Sequence, residues 1–400
     1  MGQSDKRAAF AGLNENKIDA LLSVSETPFY VIDKEIIRRN CEVLYKVAKN
    51  TGCKVLLAQK AFSGFDLYPL MSEYLDGTEA SGLYEAMLGR EEMPGKEVHV
   101  FSAAYRERDF TEITKCCDHI VFNSPAQLKK YGKTAKAAGC QIGLRINPEC
   151  SVQDGGIYDP CSEGSRLGTT RENFNKLGCA EKEMLDGIHF HTLCEQNSDA
   201  LEKTLEAVEL KFGDILGNMQ WVNFGGGHHI TRPDYDVEKL EKCITDFSEK
   251  YGVTVYLEPG EACALNAGYL VTEVLDVVGS SGKITLITDV SPACHMPDVL
   301  EMPYNPPIFG VTGDGCIKYR LGGPTCLAGD VTGEYTFREE VKTGDKLILG
   351  DMAIYSFCKN NTFNGMPLPD IYVIDEDGSI DRLTRFGYAD FKARLGKISK

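Results

Sequence analysis

The sequence predicts an α/β protein in which a (β/α)8, TIM-like barrel is joined to a second, all-β domain. Short apolar segments alternate eight times with helix-like stretches between residues 54 and 258, and strand–helix units repeated in this way close into a barrel. From about residue 268 the pattern changes to strand-like runs, several of them separated by Gly-Asp and Asp-Gly turns, as in all-β domains. An open, doubly wound sheet is the alternative for the first part.

The eight barrel segments are rich in Val, Ile, Leu and Phe and do not alternate strictly between apolar and polar residues. This composition is typical of parallel strands that are buried on both faces. The predicted strands are 54–58, 77–81, 98–102, 119–123, 142–146, 188–192, 221–225 and 253–258. Helix-like stretches at 65–76, 125–139 and 200–217 fit crossover connections between them.

A long loop interrupts the regular spacing of the barrel strands. Residues 147–168, which contain Gly, Pro and Ser, are too many for a simple connection. Long loops at the carboxyl ends of barrel strands commonly cover the active site. We therefore expect this loop to lie over the functional site.

The second domain is predicted from both ends of the chain. Its strand-like runs are 270–279, 283–290, 334–340, 345–351 and 370–378. Residues 28–33 are also strand-like and precede the barrel, so we expect them to join the same domain. The predicted boundaries are 36–265 for the barrel, and 1–35 with 266–400 for a Greek-key-like β domain.

Composition and charge exclude several classes of protein. A hydrophobic share of 42% and a charged share of 26% are typical of a globular protein with a large core. No apolar run approaches the ~18 residues of a membrane span, and the N-terminus lacks the apolar core of a secretory signal. The net charge of −16 repels phosphate backbones. We therefore expect neither a membrane nor a nucleic acid as partner.

The fifteen cysteines show neither C-x-x-C pairs nor zinc-finger spacing. Together with the missing export signal, this favours reduced thiols in the cytoplasm. His228-His229 has no accompanying ligands at metal-site spacing, so we expect no metal site.

Polar residues at the carboxyl ends of the barrel strands are the candidates for chemistry. They are Lys60, Glu79, Ser81, Ser102, Asn123, Arg145, His191, Gly225–Gly227 and Glu258. Each alone has an ordinary explanation as a surface charge, a turn or a hydrogen-bonded core residue. Together they include an amine for a Schiff base, an imidazole to stack on a ring, a carboxylate for a pyridine nitrogen and a glycine turn for phosphate. These are the four parts of a pyridoxal 5′-phosphate site.

Several motifs occur in an order that resembles the alanine-racemase-like (fold type III) pyridoxal phosphate-dependent decarboxylases. They are A-x-K at the first barrel strand, H-x-H, G-G-G, E-P-G and a distant G-P-x-C-x-x-x-D. The longer strings LAQKAF, GSRLG, HFHTLCEQ, EPGEA, HMPDVLEMPY and GPTCLAGD are similar to those of the carboxynorspermidine/carboxyspermidine decarboxylases. The resemblance covers nearly the whole chain. It implies decarboxylation of these two compounds to norspermidine and spermidine, by a homodimer with active sites at its interface.

The resemblance also implies a role for each matching residue. Lys60 would bind the cofactor covalently, His191 would stack on its ring, and Glu258 would pair with its ring nitrogen. The remaining cofactor contacts would come from Arg145, Gly225, Gly226, Gly227 and Tyr355. Cys326 would return a proton to the substrate from the partner subunit, and Asp330, which closes the same motif, is expected in the substrate site.

Departures from the family pattern bear on the substrate. Glu261 stands where relatives commonly have an arginine after E-P-G, and Leu327 stands where ornithine-type enzymes carry an acid. Glu261, Asp298 and Glu301 are therefore candidates for binding protonated amines, with ordinary surface acids as the alternative. A diaminopimelate- or ornithine-type decarboxylase, a non-catalytic cofactor-binding homologue and a sugar-phosphate aldolase barrel remain as alternative functions.

Overall fold

The computed structural model describes residues 8–153, 157–311 and 313–397. It divides into two compact units, one of residues 38–263 and one of the residues through Ile37 together with those from Ala264 onward. The boundaries predicted from sequence lie two residues from these divisions. Parts of two predicted regions lie outside the described residues, namely 1–7, 312 and 398–400 of the β domain and 154–156 of the long loop.

Residues 38–263 contain a closed barrel of eight parallel strands, which confirms the predicted barrel. Strand β1 (Phe29–Asp33) precedes it and belongs to the other unit. The barrel strands are β2 (Lys54–Ala58), β3 (Gly77–Ala80), β4 (Glu97–Phe101), β5 (His119–Phe122), β6 (Gln141–Arg145), β7 (Gly187–His189), β8 (Trp221–Asn223) and β9 (Thr254–Leu257). Strand β9 pairs with both β8 and β2, which closes the barrel. All eight carboxyl ends therefore open at the same mouth.

Helices connect the barrel strands, as the strand–helix alternation predicts. In chain order the helices up to the end of the barrel are α1 (Glu15–Ser23), α2 (Lys34–Thr51), α3 (Tyr68–Ser72), α4 (Leu83–Glu92), α5 (Glu107–Cys116), α6 (Pro125–Ala137), α7 (Arg171–Phe174), α8 (Cys179–Lys182), α9 (Ser198–Leu216), α10 (Val237–Tyr251) and α11 (Glu261–Ala264). The start of α6 shows why a helix begins there: Ser124 accepts from the N–H of Gln127, and Pro125 occupies the first helical position. None of the described helices is long and apolar enough to cross a bilayer.

The other unit is built on a mixed sheet of eight strands. Besides β1 it contains β10 (Gly268–Ser280), β11 (Lys283–Thr288), β12 (Ile317–Gly322), β13 (Val331–Phe337), β14 (Lys346–Gly350), β15 (Asp370–Ile374) and β16 (Ile380–Thr384). The order is β13-β12-β11-β10-β1-β15-β16, and β14 also pairs with β10. Strand β1 lies between β10 and β15, so the strand-like residues before the barrel join this sheet as expected.

Two features of this sheet go beyond the predicted β domain. The pairs β1–β15 and β11–β12 are parallel, so the sheet is mixed. Short helices also lie between the strands, namely α12 (Pro292–His295), α13 (Asp298–Glu301) and α14 (Ser356–Lys359), and α15 (Tyr388–Ala393) follows β16. Strands β12 and β16 were not predicted, because their sequences IKYRLG and IDRLT carry charged residues in place of an apolar run.

Candidate active site

The mouth of the barrel brings the predicted lysine and glutamate onto neighbouring strands. Lys60 follows β2 and Glu258 follows β9, and these two strands are paired. Lys60 is half-buried, and its Nζ forms no hydrogen bond or ion pair with any residue that the structure describes. Its positive charge nevertheless acts on Glu79, Glu258 and His191. Lys60 is therefore an amine available for reaction, next to two carboxyl groups.

Glu258 is buried, and both of its oxygens accept hydrogen bonds. Asn223 Nδ2 donates to Oε1 at 2.6 Å, and His189 Nε2 donates to Oε2 at 3.1 Å. Burial by itself raises the pKa of Glu258, but His189 and the cation of Lys60 outweigh burial and hold this pKa well below its usual value. Glu258, which the family resemblance assigns to the ring nitrogen of the cofactor, is therefore ionised.

Glu79 lies in the same pocket with the opposite protonation state. Burial raises the pKa of Glu79, and the charge of Glu258 adds to this, against the opposing effect of Lys60. Its Oε2 atom is buried and has no partner among the described residues. Two buried carboxyl groups with pKa values displaced in opposite directions are typical of sites for acid–base chemistry.

His191 is held as a neutral imidazole. The N–H of Gly226 donates to His191 Nδ1 at 2.9 Å, so the ring proton lies on Nε2. Burial, followed by the charges of Lys60 and Arg145, lowers the pKa of His191 well below its ordinary value. A neutral ring can lie against an aromatic cofactor without adding a second cation beside Lys60.

The three glycines pack closely against the ends of β7 and β9. Gly225 and Gly227 have φ of +73° and +80°, which favours glycine, and a Cβ on Gly227 would lie 2.0 Å from the carbonyl oxygen of Leu193. The N–H of Gly225 donates to Asn223 Oδ1 at 2.8 Å. Two of the three loop amides are thus engaged within the protein, while the N–H of Gly227 donates to no described residue. Phosphate binding by this loop stays a prediction.

Arg145 is a buried cation beside the same group of residues. Its Nη2 donates to the carbonyl oxygen of His191 at 3.2 Å, and its guanidinium lies 4.5 Å from the ring centre of Phe101. Burial lowers the pKa of Arg145 to about 10, so the side chain remains charged at neutral pH. The Phe101 ring also stacks with His189 at 5.5 Å, which fixes the orientation of that imidazole.

The sequence analysis assigned no role to Asn223, to Phe101 or to His189, the first histidine of H-x-H. Asn223 and His189 end their strands and obey the same strand-end rule that selected Lys60. Applying that rule to every polar residue at a carboxyl end would have found both. Phe101 offers no such signal, because a buried aromatic residue is expected in any barrel.

These residues fit pyridoxal 5′-phosphate. Buried polar atoms are almost always hydrogen-bonded, yet Glu79 Oε2 and His189 Nδ1 have no partner among the described residues. They lie with the unpaired amine of Lys60, an ionised carboxylate and a neutral imidazole. Such a set suits a ligand that has polar atoms around an aromatic ring.

The motif that carries Cys326 lies in the sheet unit. Cys326 is exposed in this chain, and its N–H donates to Asn364 Oδ1 at 2.7 Å. Asp330 is buried and accepts from Ser291 Oγ at 2.9 Å and Thr325 Oγ1 at 2.7 Å. The structure accounts for Asp330 as the residue that holds this loop, and its predicted contact with substrate stays untested.

Tyr355 has an unusual backbone. Its φ of 50° and ψ of −51°, with a hydrogen bond from the N–H of Ser356 to the carbonyl of Ile354, form a γ-turn of the strained kind. Strained residues that are not glycine concentrate at ligand sites. The phosphate contact of Tyr355 stays a prediction.

The predicted amine-binding acids have different surroundings. Asp298 and Glu301 both form ion pairs with Lys359, and Glu301 is exposed. Glu261 begins α11 at the mouth of the barrel, and its charge raises the pKa of the Cys194 thiol further after burial has raised it. Two of the three acids are thus already compensated by a lysine.

A second cluster lies at the amino ends of the barrel strands. Potential ligand atoms of Glu97, His99 and His119 lie within 4.8 Å of one another. The two imidazoles, however, stack at 3.9 Å with an angle of 22°, so one ion cannot lie in the plane of both rings. Glu97 also accepts from Lys54 and Tyr256. We interpret this cluster as polar packing in the barrel.

Comparison with known proteins identifies a family of pyridoxal-dependent enzymes. A family model described as "Pyridoxal-dependent decarboxylase, C-terminal sheet domain" matches residues 29–353. The carboxynorspermidine/carboxyspermidine decarboxylase of Campylobacter jejuni is 41% identical over 92% of this chain and 98% of its own length. The carboxyaminopropylagmatine decarboxylase of Synechocystis is 38% identical over 94% of this chain and 97% of its own length.

The fold agrees as well. The crystal structure of Campylobacter jejuni carboxynorspermidine decarboxylase complexed with norspermidine superimposes with a TM-score of 0.85 at 41% identity, covering 92% of this chain and 100% of that one. The group of buried polar residues at the barrel mouth and the matches over nearly the full length lead to one conclusion. The chain belongs to the pyridoxal phosphate-dependent decarboxylases of the barrel-and-sheet type, a family of carboxy-lyases that includes the carboxynorspermidine/carboxyspermidine decarboxylases.

Proposed function

We propose that this protein decarboxylates carboxynorspermidine or carboxyspermidine, releasing carbon dioxide and norspermidine or spermidine for polyamine biosynthesis. The observation that carries the proposal is the unpaired Lys60 amine beside the ionised, doubly hydrogen-bonded Glu258. The 41% identical relative from Campylobacter jejuni, named for both substrates, supports this substrate class.

Each of the site residues at the barrel mouth then has a specific role. Pyridoxal phosphate, when bound, supplies an electron sink for the pair released as the carboxylate leaves. Lys60 binds it covalently, and Glu258 holds a proton at the ring nitrogen. His191 supports the ring face with a neutral imidazole, and Arg145 keeps positive charge beside the two carboxyl groups. The Gly225–Gly227 loop binds the phosphate.

The sheet unit contributes further proposed roles. Tyr355, in its strained turn, adds a phosphate contact. The partner subunit's Cys326 returns a proton to the substrate carbon, which requires a homodimer. The exposure of Cys326 in one chain supports a role at a surface that a second chain covers. All fifteen cysteines are unpaired, which supports the reducing cytoplasm as the location.

We propose that carboxylate side chains bind the distal, protonated amines of the substrate. Glu261 is the candidate within the barrel unit, and Asp298 with Glu301 are the candidates within the sheet unit. A glutamate at position 261 suits an ammonium better than a distal carboxylate, which argues against diaminopimelate as substrate.

The cofactor assignment is tested by absorbance. Purified protein loaded with pyridoxal phosphate is expected to show the visible band of a cofactor bound to lysine, and Lys60→Ala is expected to lose it because the substitution removes the amine that binds the cofactor. Lys54→Ala, at the opposite end of the same strand, is the matched control and should keep the band. Absence of the band from the loaded wild type would exclude the proposed site.

The substrate assignment is tested by a panel. Carbon dioxide release is measured with carboxynorspermidine, carboxyspermidine, carboxyaminopropylagmatine, diaminopimelate and ornithine. We expect the highest kcat/KM with the first two. Preference for diaminopimelate or ornithine would overturn the substrate assignment. Preference for carboxyaminopropylagmatine would instead assign the protein the substrate for which the Synechocystis relative is named.

A further inference from the structure

We propose that Asn223 is a positioning residue for the decarboxylation, whose neutral amide clamps Glu258 together with His189 and ties that carboxylate to the glycine loop. The inference rests on the proposed function, because it concerns the carboxylate that faces the ring nitrogen of the cofactor. It goes further by giving a task to Asn223, which lies in none of the motifs, and to His189, the first histidine of H-x-H, to which the sequence assigned no role.

The hydrogen bonds of Asn223 connect two parts of the site. Its Nδ2 donates to Glu258 Oε1 at 2.6 Å, while its Oδ1 accepts from the N–H of Gly225 at 2.8 Å. The next amide, that of Gly226, donates to His191 at 2.9 Å. The carboxylate, the glycine loop and the imidazole are therefore held by one continuous set of bonds.

The barrel register explains why the two donors flank the carboxylate. Asn223 lies opposite His189 in the β7–β8 pair, and it lies opposite Tyr256 in the β8–β9 pair. Glu258 follows two residues after Tyr256, where its side chain reaches both neighbours. Asn223 and His189 are fully buried, so neither bond competes with solvent.

A neutral donor matters because Glu258 is surrounded by ionisable groups. Those that act on it or are acted on by it are Lys60, Glu79, His99, Arg145, His189 and His228. The lysine and arginine favour its ionised form, whereas Glu79 opposes it. The amide of Asn223 adds a hydrogen-bond donor but no charge, so the bond it forms does not depend on the protonation of a further group. A second carboxyl group in place of Asn223 would compete with Glu258 for ionisation.

Asn223→Asp tests the clamp through a pH profile. The introduced carboxyl group keeps the acceptor for Gly225 and, while protonated, can still donate to Glu258. At higher pH this shared proton is lost to solvent, so Glu258 loses its donor at position 223 and two carboxylates repel each other there. We therefore expect kcat/KM of the variant, divided by that of the wild type, to fall at least ~tenfold between pH 6 and pH 9, a ratio that corresponds to one displaced ionisation.

The absorbance of the bound cofactor gives a second readout that needs no turnover. In Asn223→Asp it should titrate over the same pH range, and the wild-type spectrum should show no such titration. Asn197→Asp is the matched control, because Asn197 of the barrel unit also donates through Nδ2, to the carbonyl oxygen of Asp234, and accepts at Oδ1 from the N–H of Ser198. A ratio and a spectrum that do not change with pH, or an equal change in Asn197→Asp, would overturn the proposal.

A second pair of variants keeps the test decisive if Asn223→Asp does not fold. His189→Gln retains an N–H donor near the Nε2 position, whereas His189→Leu removes it. The clamp predicts that the leucine variant acquires a pH-dependent cofactor spectrum and that the glutamine variant does not. Equal behaviour of the two would contradict it. Both readouts require a wild type that binds the cofactor through Lys60, so failure of the proposed function appears separately, as absence of that band.

Discussion

At the residue scale, the pocket keeps two buried carboxyl groups in different protonation states. Lys60 faces both, yet only Glu258 has two hydrogen-bond donors that stabilise its charge. Glu79 lacks such donors at Oε2 and remains protonated at neutral pH. The number of donors, rather than the residue type, separates the two roles.

Lys359→Met tests the proposed acids of the sheet unit. Lys359 neutralises Asp298 and Glu301, so its removal should leave both carboxylates available to a substrate ammonium. Because partly exposed pairs contribute ~0.2–1 kcal/mol, KM for the triamine should fall roughly one-and-a-half- to fivefold. Steady-state kinetics measure this effect.

Lys250→Met is the matched control for that exchange. It removes a lysine that pairs with Glu209 on the barrel unit and should leave KM unchanged. If Lys359→Met also leaves KM unchanged, Asp298 and Glu301 are ordinary surface acids.

The site could be predicted from sequence only as far as motifs and strand ends reach. Lys60, His191 and Glu258 were found because each follows an apolar strand, and the structure brings them to one mouth. The clamp on Glu258 was missed because the pairing of β7 with β8 and β9 decides which donors it meets. A motif also does not reveal that Asp330 accepts hydrogen bonds from Ser291 and Thr325, and its contact with substrate stays a prediction.

At the element scale, regular apolar periodicity decided what could be predicted. All eight barrel strands were found, because burial on both faces leaves a run of apolar residues. The helix expected at 65–76 is reduced to a short turn and α3 (Tyr68–Ser72). Strand β16 was missed because three of its five residues are exposed, so no apolar run marks it.

The buried His119, at the amino end of strand β5, predicts that the stability of the protein depends on pH. Burial, together with His99, lowers the pKa of His119 from 6.5 to about 2, so the folded barrel keeps this ring neutral. The unfolded chain binds a proton below pH 6.5, and the free energy of unfolding therefore falls as the pH drops below that value. For His119 alone the loss at pH 5 is about 2 kcal/mol.

His119→Phe should remove this loss while keeping a ring against Trp221, which stacks on His119 at 4.9 Å. Trp221 is the single tryptophan, so its fluorescence follows unfolding of the barrel in urea. The difference in free energy of unfolding between variant and wild type should shift by about 2 kcal/mol in favour of the variant from pH 8 to pH 5. A difference that is independent of pH would contradict the assignment.

At the scale of the whole molecule, the net charge of −16 can attract the substrate only if the substrate is polycationic. A negative surface raises the local concentration of a triamine, and salt screens this effect over ~10 Å at 0.1 M. We therefore expect kcat/KM for carboxynorspermidine to fall as sodium chloride rises from 10 to 300 mM. Stopped assays of carbon dioxide release measure it. A flat dependence would leave the acidity as a means of solubility.

The place of β1 between β10 and β15 has a consequence for synthesis on the ribosome. Its neighbour β10 begins about 240 residues after β1, and β15 follows later still. At ~5–20 residues per second, this strand leaves the exit tunnel roughly 10–50 seconds before its first partner exists. Its five residues, FYVID, of which the first four are largely apolar, must stay unpaired while the barrel is translated. The nascent chain therefore offers a chaperone a defined binding segment during that interval.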